Sequence, residues 1–276
     1  MPGELIPQRK EQYMSRTVRT VVVALVALTL GWLMPATLPA HATGTFTVYE
    51  RETYLDVDFS AAGAVRAVIV NNSAWESLLE SGGMPSETDY KAVVSSRTAG
   101  QAGPVILDHE KIYLKGVTRA VAEHRRDQWI QLLTWTHDVV PNHTVGIYNF
   151  LHEVDPANLD LAAEVAAYAD AFFPSMYSWI GNGNNCSDQT GWTTRLTAIM
   201  SRAASIDPAK PVIPFVWPQF YPSCTGGGSF LTGPQWRYQL DTIQAQGAAG
   251  LVIYSEAKIN AAGDWSDETL DFMAGL

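Results

Sequence analysis

The chain has 276 residues, 47% of them hydrophobic and 17% charged, which is the composition of a folded globular protein rather than a disordered one. Eighteen Lys and Arg stand against 28 Asp and Glu, a net charge of −10. That balance argues against a nucleic-acid partner and, through long-range repulsion, more weakly against a polyanionic substrate.

In chain order, the first segment reads as a leader. Arg16 and Arg19 precede the apolar run Val21–Leu33, and small residues follow, ending in Ala40-His41-Ala42. A basic start, a short apolar stretch and an A-x-A site form the pattern of a secretory signal peptide. Pro35 and Pro39 interrupt the run too soon for a transmembrane span. Residues 1–42 are therefore expected to be removed, and 43–276 to form one secreted, extracellular domain with no membrane attachment. That domain has 234 residues, with 14 Lys and Arg against 26 Asp and Glu, a net charge of −12. It is expected to be a monomer.

The remainder alternates. Apolar runs rich in β-branched residues predict strands at Phe46–Tyr49, Ala67–Val70, Val105–Asp108, Val145–Phe150, Ala171–Met176, Val212–Trp217 and Gly250–Tyr254. Helical spacing predicts helices at Glu87–Thr98, Leu114–His137, Leu159–Tyr168, Thr193–Ser205 and Pro234–Gln246. Strands alternating with helices imply right-handed βαβ units and a parallel sheet. Several runs are apolar on both faces, as buried parallel strands are. The expected fold is α/β, a distorted TIM-like (β/α) barrel of about seven parallel strands. An open doubly wound sheet is the alternative, disfavoured for a nucleotide fold because no glycine-rich phosphate loop follows the early strands.

Polar and aromatic residues gather where the strands end, the side on which barrel active sites are built. The triplet Asp108-His109-Glu110 follows the buried run Val105-Ile106-Leu107. In extended backbone, residues i and i+2 project to the same side, so Asp108 and Glu110 are expected to enter the mouth together while His109 points away. Two neighbouring carboxylates resist ionising together, and one pKa should rise, as protonation of a glycosidic oxygen requires. The structural alternative is that Glu110 caps a helix and Asp108 holds a turn.

Tyr148, Tyr177, Trp179, Trp217 and Tyr254 lie at or just after strand ends, with Trp192, Phe220, Tyr221 and Trp236 also assigned to this mouth. Flat aromatic faces stack on the C–H faces of sugars, which points to a polysaccharide or oligosaccharide substrate. Any one of these rings is as readily explained by core packing. Glu256 is a candidate ligand contact or a rim residue, and Glu153 a second carboxylate or a surface residue. Cys186 and Cys224, the only cysteines, are expected to form a disulfide in an exported chain. No metal-ligand spacing occurs, and no cofactor is expected.

Asp108-His109-Glu110 after "GPVIL" resembles the Asp-x-Glu motif of the hyaluronidase family of glycoside hydrolases. In the same order, "ADAFFPSMYSW" (169–179), "KPVIPFVWPQF" (210–220) and "GAAGLVIYSEA" (247–257) resemble later strands of that family. Tyr254-Ser255 stands where the family carries Trp-Gly, and "NFLHEVD" (149–155) replaces its Cys and Tyr. The resemblance implies a distorted seven-stranded barrel and a substrate-assisted retaining mechanism on an N-acetylhexosamine-containing glycan. It places Glu110 as general acid and base, Asp108 as the residue that orients the acetamido group, and Tyr177 beside that group. Two other readings stay open. One is a secreted barrel that binds glycan without cutting it. The other is a glycosidase in which Glu153 or Glu256 is the second carboxylate.

Overall fold

The computed structural model describes residues 45–178, 188–224 and 226–276. Among these residues eight strands, all parallel, form two ladders: β2 (Val65–Arg66), β1 (Thr47–Arg51), β8 (Gly250–Tyr254) and β7 (Phe215–Val216), then β3 (Val68–Val70), β4 (Val105–Leu107), β5 (Val145–Tyr148) and β6 (Ala171–Phe173). The two ladders join at both seams. β2 and β3 are one strand that changes partner at Ala67, whose N–H donates to Glu50 O at 2.9 Å while Val68 N–H donates to Pro104 O at 2.9 Å. Across the other seam, Phe172 pairs with Val212 and Ser175 with Phe215. The result is a closed, distorted barrel of seven staves, as the sequence predicts.

The predicted strands sit in register with the observed ones, and the differences have simple causes. β6 stops at Phe173 because Pro174 has no N–H to continue the ladder. β7 shortens to two residues because Pro211, Pro214 and Pro218 punctuate it. β1 runs on to Arg51, past the apolar run, because Glu50 and Arg51 still pair with Ile253 and Tyr254 of β8.

Among the described residues, seven α-helices surround the barrel: α1 (Ser73–Glu80), α2 (Glu87–Thr98), α3 (Arg119–Val139), α4 (Leu159–Ala166), α5 (Gln189–Ile206), α6 (Gly233–Ala245) and α7 (Asp264–Ala274). Side-chain oxygens of Asn72, Ser86, Thr118 and Asp188 accept backbone N–H groups at the starts of α1, α2, α3 and α5. α3 begins five residues later than its apolar pattern predicts. Leu114 is bridged to Val154, Gly116 takes a left-handed turn at φ 69°, and Thr118 is the cap. α1 and α7 were not predicted. α1 is only eight residues long, and α7 is dominated by acidic and hydroxyl residues around Trp265, Thr269 and Phe272. Among the described residues no helix is long and apolar enough to cross a membrane.

Strand alternation divides the core into three. Val105 and Leu107 face outward onto α1–α4, while Val48, Leu251 and Ile253 face α5–α7. Ile106, Phe173, Phe215 and Val252 fill the barrel. Gly146 is required here, because a Cβ on it would lie 2.3 Å from Ala171 O and 2.6 Å from the Phe173 ring. Gly146→Ala is expected to cost about 1–3 kcal/mol through overpacking and lower Tm by roughly 3–10 °C, measurable by thermal melting.

Candidate active site

At the C-terminal ends of the strands, Asp108, Glu110, Tyr148, Tyr177, Trp217, Tyr254 and Glu256 line one cavity of about 210 Å³ with Ile69, Phe215, Tyr221 and Pro222. The parity of β4 explains the first two. Ile106 points into the barrel and Leu107 out, and the alternation carries Asp108 inward, His109 outward and Glu110 inward.

His109 locks this arrangement. It is 0% exposed and lies between the rings of Trp75, Tyr90 and Trp129, with centroids 6.3, 6.4 and 6.1 Å away. Its Nδ1 is 2.8 Å from Glu76 Oε1 on α1. The strand parity predicts the outward direction of His109. Its carboxylate partner sits on a helix that the sequence reading missed.

The electrostatics separate the two acids. Burial pushes the Asp108 carboxyl up to about 7, reinforced by the charges of Glu110 and Glu76, while a hydrogen bond from Asn71 pulls the other way. Glu110 is more exposed. Burial again raises its pKa, followed by the charges of Glu76 and Glu153, and Lys111 opposes the shift. One carboxyl of the pair thus holds a proton near neutral pH.

The aromatic wall is ordered. Tyr177 stacks on Tyr254 with centroids 5.6 Å apart at 17°, and meets Trp217 edge-on at 5.6 Å and 72°. Burial raises the Tyr177 phenol well above its usual value and pushes Tyr148 up to about 12, so both are neutral donors. Tyr254 donates its hydroxyl to Glu256 Oε1 at 2.5 Å. Gln219, absent from the sequence reading, holds Trp217: its Oε1 accepts from Trp217 Nε1 at 3.1 Å and from the Tyr54 hydroxyl at 2.8 Å. Asn149, directly after Tyr148, has φ 55°, and its Oδ1 accepts the Ser175 N–H at 3.3 Å. This left-handed turn at the end of β5 is the one positive φ outside glycine among the described residues.

Three of the expected mouth aromatics are elsewhere. Trp192 and Trp236 are helical and belong to the outer core, donating through Nε1 to Met176 O and Thr269 Oγ1, each at 2.8 Å. Phe220 packs against the same outer cluster. Glu153 lies 3.4 Å from Lys115 and acts on Glu110 through its field. Trp179, Cys186 and residues 1–42 lie outside the described residues, so the leader and the Cys186–Cys224 pairing remain expectations; Cys224 itself is buried. Among the described residues, no cluster of three or more His, Cys, Asp or Glu side chains is arranged to hold a metal ion.

No family model matches the chain, and no curated protein matches it by sequence. Solved structures do match. Bee venom hyaluronidase superposes with a TM-score of 0.57 at 12% identity, over 83% of this chain and 96% of that one. The same bee enzyme in complex with a hyaluronic acid tetramer gives 0.55 at 13% identity, over 83% and 95%. At such identity the likeness establishes a shared fold, a distorted α/β barrel.

Proposed function

We propose that this chain is an exported glycoside hydrolase that cleaves an N-acetylhexosamine-containing glycan by a substrate-assisted, retaining mechanism. The observation that carries the proposal is the projection of Asp108 and Glu110 from one strand end into an aromatic-lined cavity. Glu110 gives its proton to the glycosidic oxygen as the bond from that oxygen to C1 breaks. The acetamido oxygen of the same sugar attacks C1 and closes a cyclic intermediate, so no enzyme nucleophile is needed, one of the exceptions to the two-carboxylate scheme. Asp108 orients the acetamido N–H and stabilises the charge that develops on it. Glu110 then takes a proton from the water that reopens the ring. Tyr177 hydrogen-bonds beside the acetamido group, and Trp217 and Tyr254 offer their faces to the sugar.

The test is release of new reducing ends by the purified protein from hyaluronan, chondroitin, chito-oligosaccharides and peptidoglycan. Release from none of them, with the protein folded, removes the proposal and leaves a barrel that binds without cutting. Trp217 gives a second handle. It is 9% exposed, lines the cavity and is held in place by Gln219. Trp217→Ala is expected to raise KM about tenfold or more through lost stacking, with a smaller fall in kcat, read from initial rates. An unchanged KM would remove Trp217 from the binding surface.

A further inference from the structure

Where the β2–β3 stave changes partner, the barrel carries a second pocket, of about 180 Å³. Arg51, Arg66, Arg97 and Gln101 line it, and no Asp or Glu does among the described residues. The seam brings the three arginines together. Arg51 ends β1, Arg66 ends β2 just before the exchange at Ala67, and Arg97 lies in the last turn of α2. Such a convergence of cations runs against the balance of a chain whose net charge is −10.

Their charges are not answered within the protein. Arg119, Arg126 and Arg237 are ion-paired at the surface. No carboxylate oxygen lies within 4.0 Å of Arg51, Arg66 or Arg97 among the described residues. Glu50, Glu52 and Asp58 act on Arg66 through their fields without forming an ion pair. Arg66 is exposed, and its Nη2 donates to Glu52 O at 3.4 Å. Arg97 is anchored. Its Nη1 donates to Ile69 O at 2.9 Å and to Asn71 Oδ1 at 3.1 Å, and its Nη2 to Asn71 O at 2.8 Å. These bonds fix its guanidinium plane and leave further N–H donors over. Arg51 is half-buried and donates to no described residue. Burial, then the charge of Arg66, disfavours its cation, and Arg97 adds to this, while Tyr254 and Glu52 oppose it.

Three donor forks around one pocket offer N–H groups from three directions. That suits the three free oxygens of a sulfate or phosphate group better than the two of a carboxylate. The pocket also adjoins the catalytic cavity. Ile69 lines both, and Arg51 stands opposite Tyr254, a wall of that cavity, in the β1–β8 register.

We propose that this pocket is an oxyanion site that takes a sulfate or phosphate group. The group is a free ion or an ester carried by a sugar in the adjoining cavity, and the same donors serve both. The site goes beyond the glycosidase reading and does not depend on it.

Calorimetric titration of the full chain at constant ionic strength tests it. The probes are sodium sulfate, sodium phosphate and N-acetylglucosamine 6-sulfate, with N-acetylglucosamine as the uncharged control. Sulfate and phosphate are expected to bind saturably at one site. Arg51→Gln should weaken both about tenfold or more, the scale of one lost charge-assisted hydrogen bond. Arg66→Gln, at an exposed position, should do the same, and Arg237→Gln on α6 should change neither. Thermal melts establish that each variant is folded. A sulfated sugar that binds at least tenfold tighter than both sulfate and the unsulfated sugar identifies the ester as the occupant. Equal affinity for the sulfated sugar and for sulfate identifies the free ion. No saturable binding of any of the three anions overturns the proposal. So does an affinity that neither Arg51→Gln nor Arg66→Gln changes. Reducing-end release is measured separately, so the glycosidase reading stands or falls on its own.

Discussion

Glu110→Gln is expected to lower turnover by about 10²–10⁴-fold or more while the protein folds normally, because general acid catalysis alone contributes on that order. Glu110 stands at an exposed position, outside the buried clusters, so the amide replaces it without a packing change. The substitution keeps shape and removes only the transferable proton. Its exposure, rather than a higher proton affinity, makes this residue the one of the pair that can reach a substrate oxygen. Partial burial first, and then the charges of Glu76 and Glu153, disfavour its ionised form, yet it stays open enough to meet a glycosidic oxygen. Reducing-end assays with a parallel thermal melt measure both halves of the expectation. Turnover within a few-fold of the parent would eliminate Glu110 as the acid. It would turn attention to Glu256, which lines the same cavity and accepts the Tyr254 hydroxyl.

The barrel itself was legible because β-branched runs between helical segments leave few alternatives for a chain of this size. Six of the seven predicted strands needed their ends adjusted: β6 and β7 shorten at prolines, β4 and β5 stop at Leu107 and Tyr148, β1 runs on to Arg51, and the β2–β3 stave begins at Val65. Gly250–Tyr254 and Glu87–Thr98 matched as they stood. The acid pair was legible for a different reason: strand parity is local, so Ile106 inward commits Asp108 and Glu110 inward. The misplaced tryptophans mark where that reasoning ended. Proximity to a strand end points Trp192 to the mouth, but Trp192, Leu196, Ile199 and Ala203 recur at helical spacing and share the buried face of α5. Trp236, Leu240 and Ile243 do the same on α6. The Glu76–His109 contact joins residues 33 apart through a helix of eight residues, and no local pattern announces it. Gln219 is hidden similarly, since its role depends on Tyr54, 165 residues away.

Asp108→Asn is expected to stabilise the fold above pH 7 while lowering turnover about 10²-fold or more, the scale of losing one group aimed at developing charge. The two effects share one cause. Asp108 holds its proton more tightly folded than unfolded, its pKa rising from 3.8 to about 7. Its contribution to stability is therefore fully present below about pH 4 and is lost as pH climbs through about 7. At pH 8 the buried charge carries a cost on the order of 2–4 kcal/mol, which the neutral amide avoids. The Tm of Asp108→Asn should exceed that of the parent by roughly 5–12 °C at pH 8, and the gap should close by pH 4. Turnover of the parent should fall over the same upper range, as the pair loses the proton that one of its members must hold. A Tm difference equal at pH 4 and pH 8 would mean that packing, not charge, separates the two proteins. An Asp108→Asn protein that is both more stable at pH 8 and fully active would leave Asp108 without a part in the chemistry. A gain in stability joined to a loss of activity is what a carboxylate kept at such a cost for catalysis predicts.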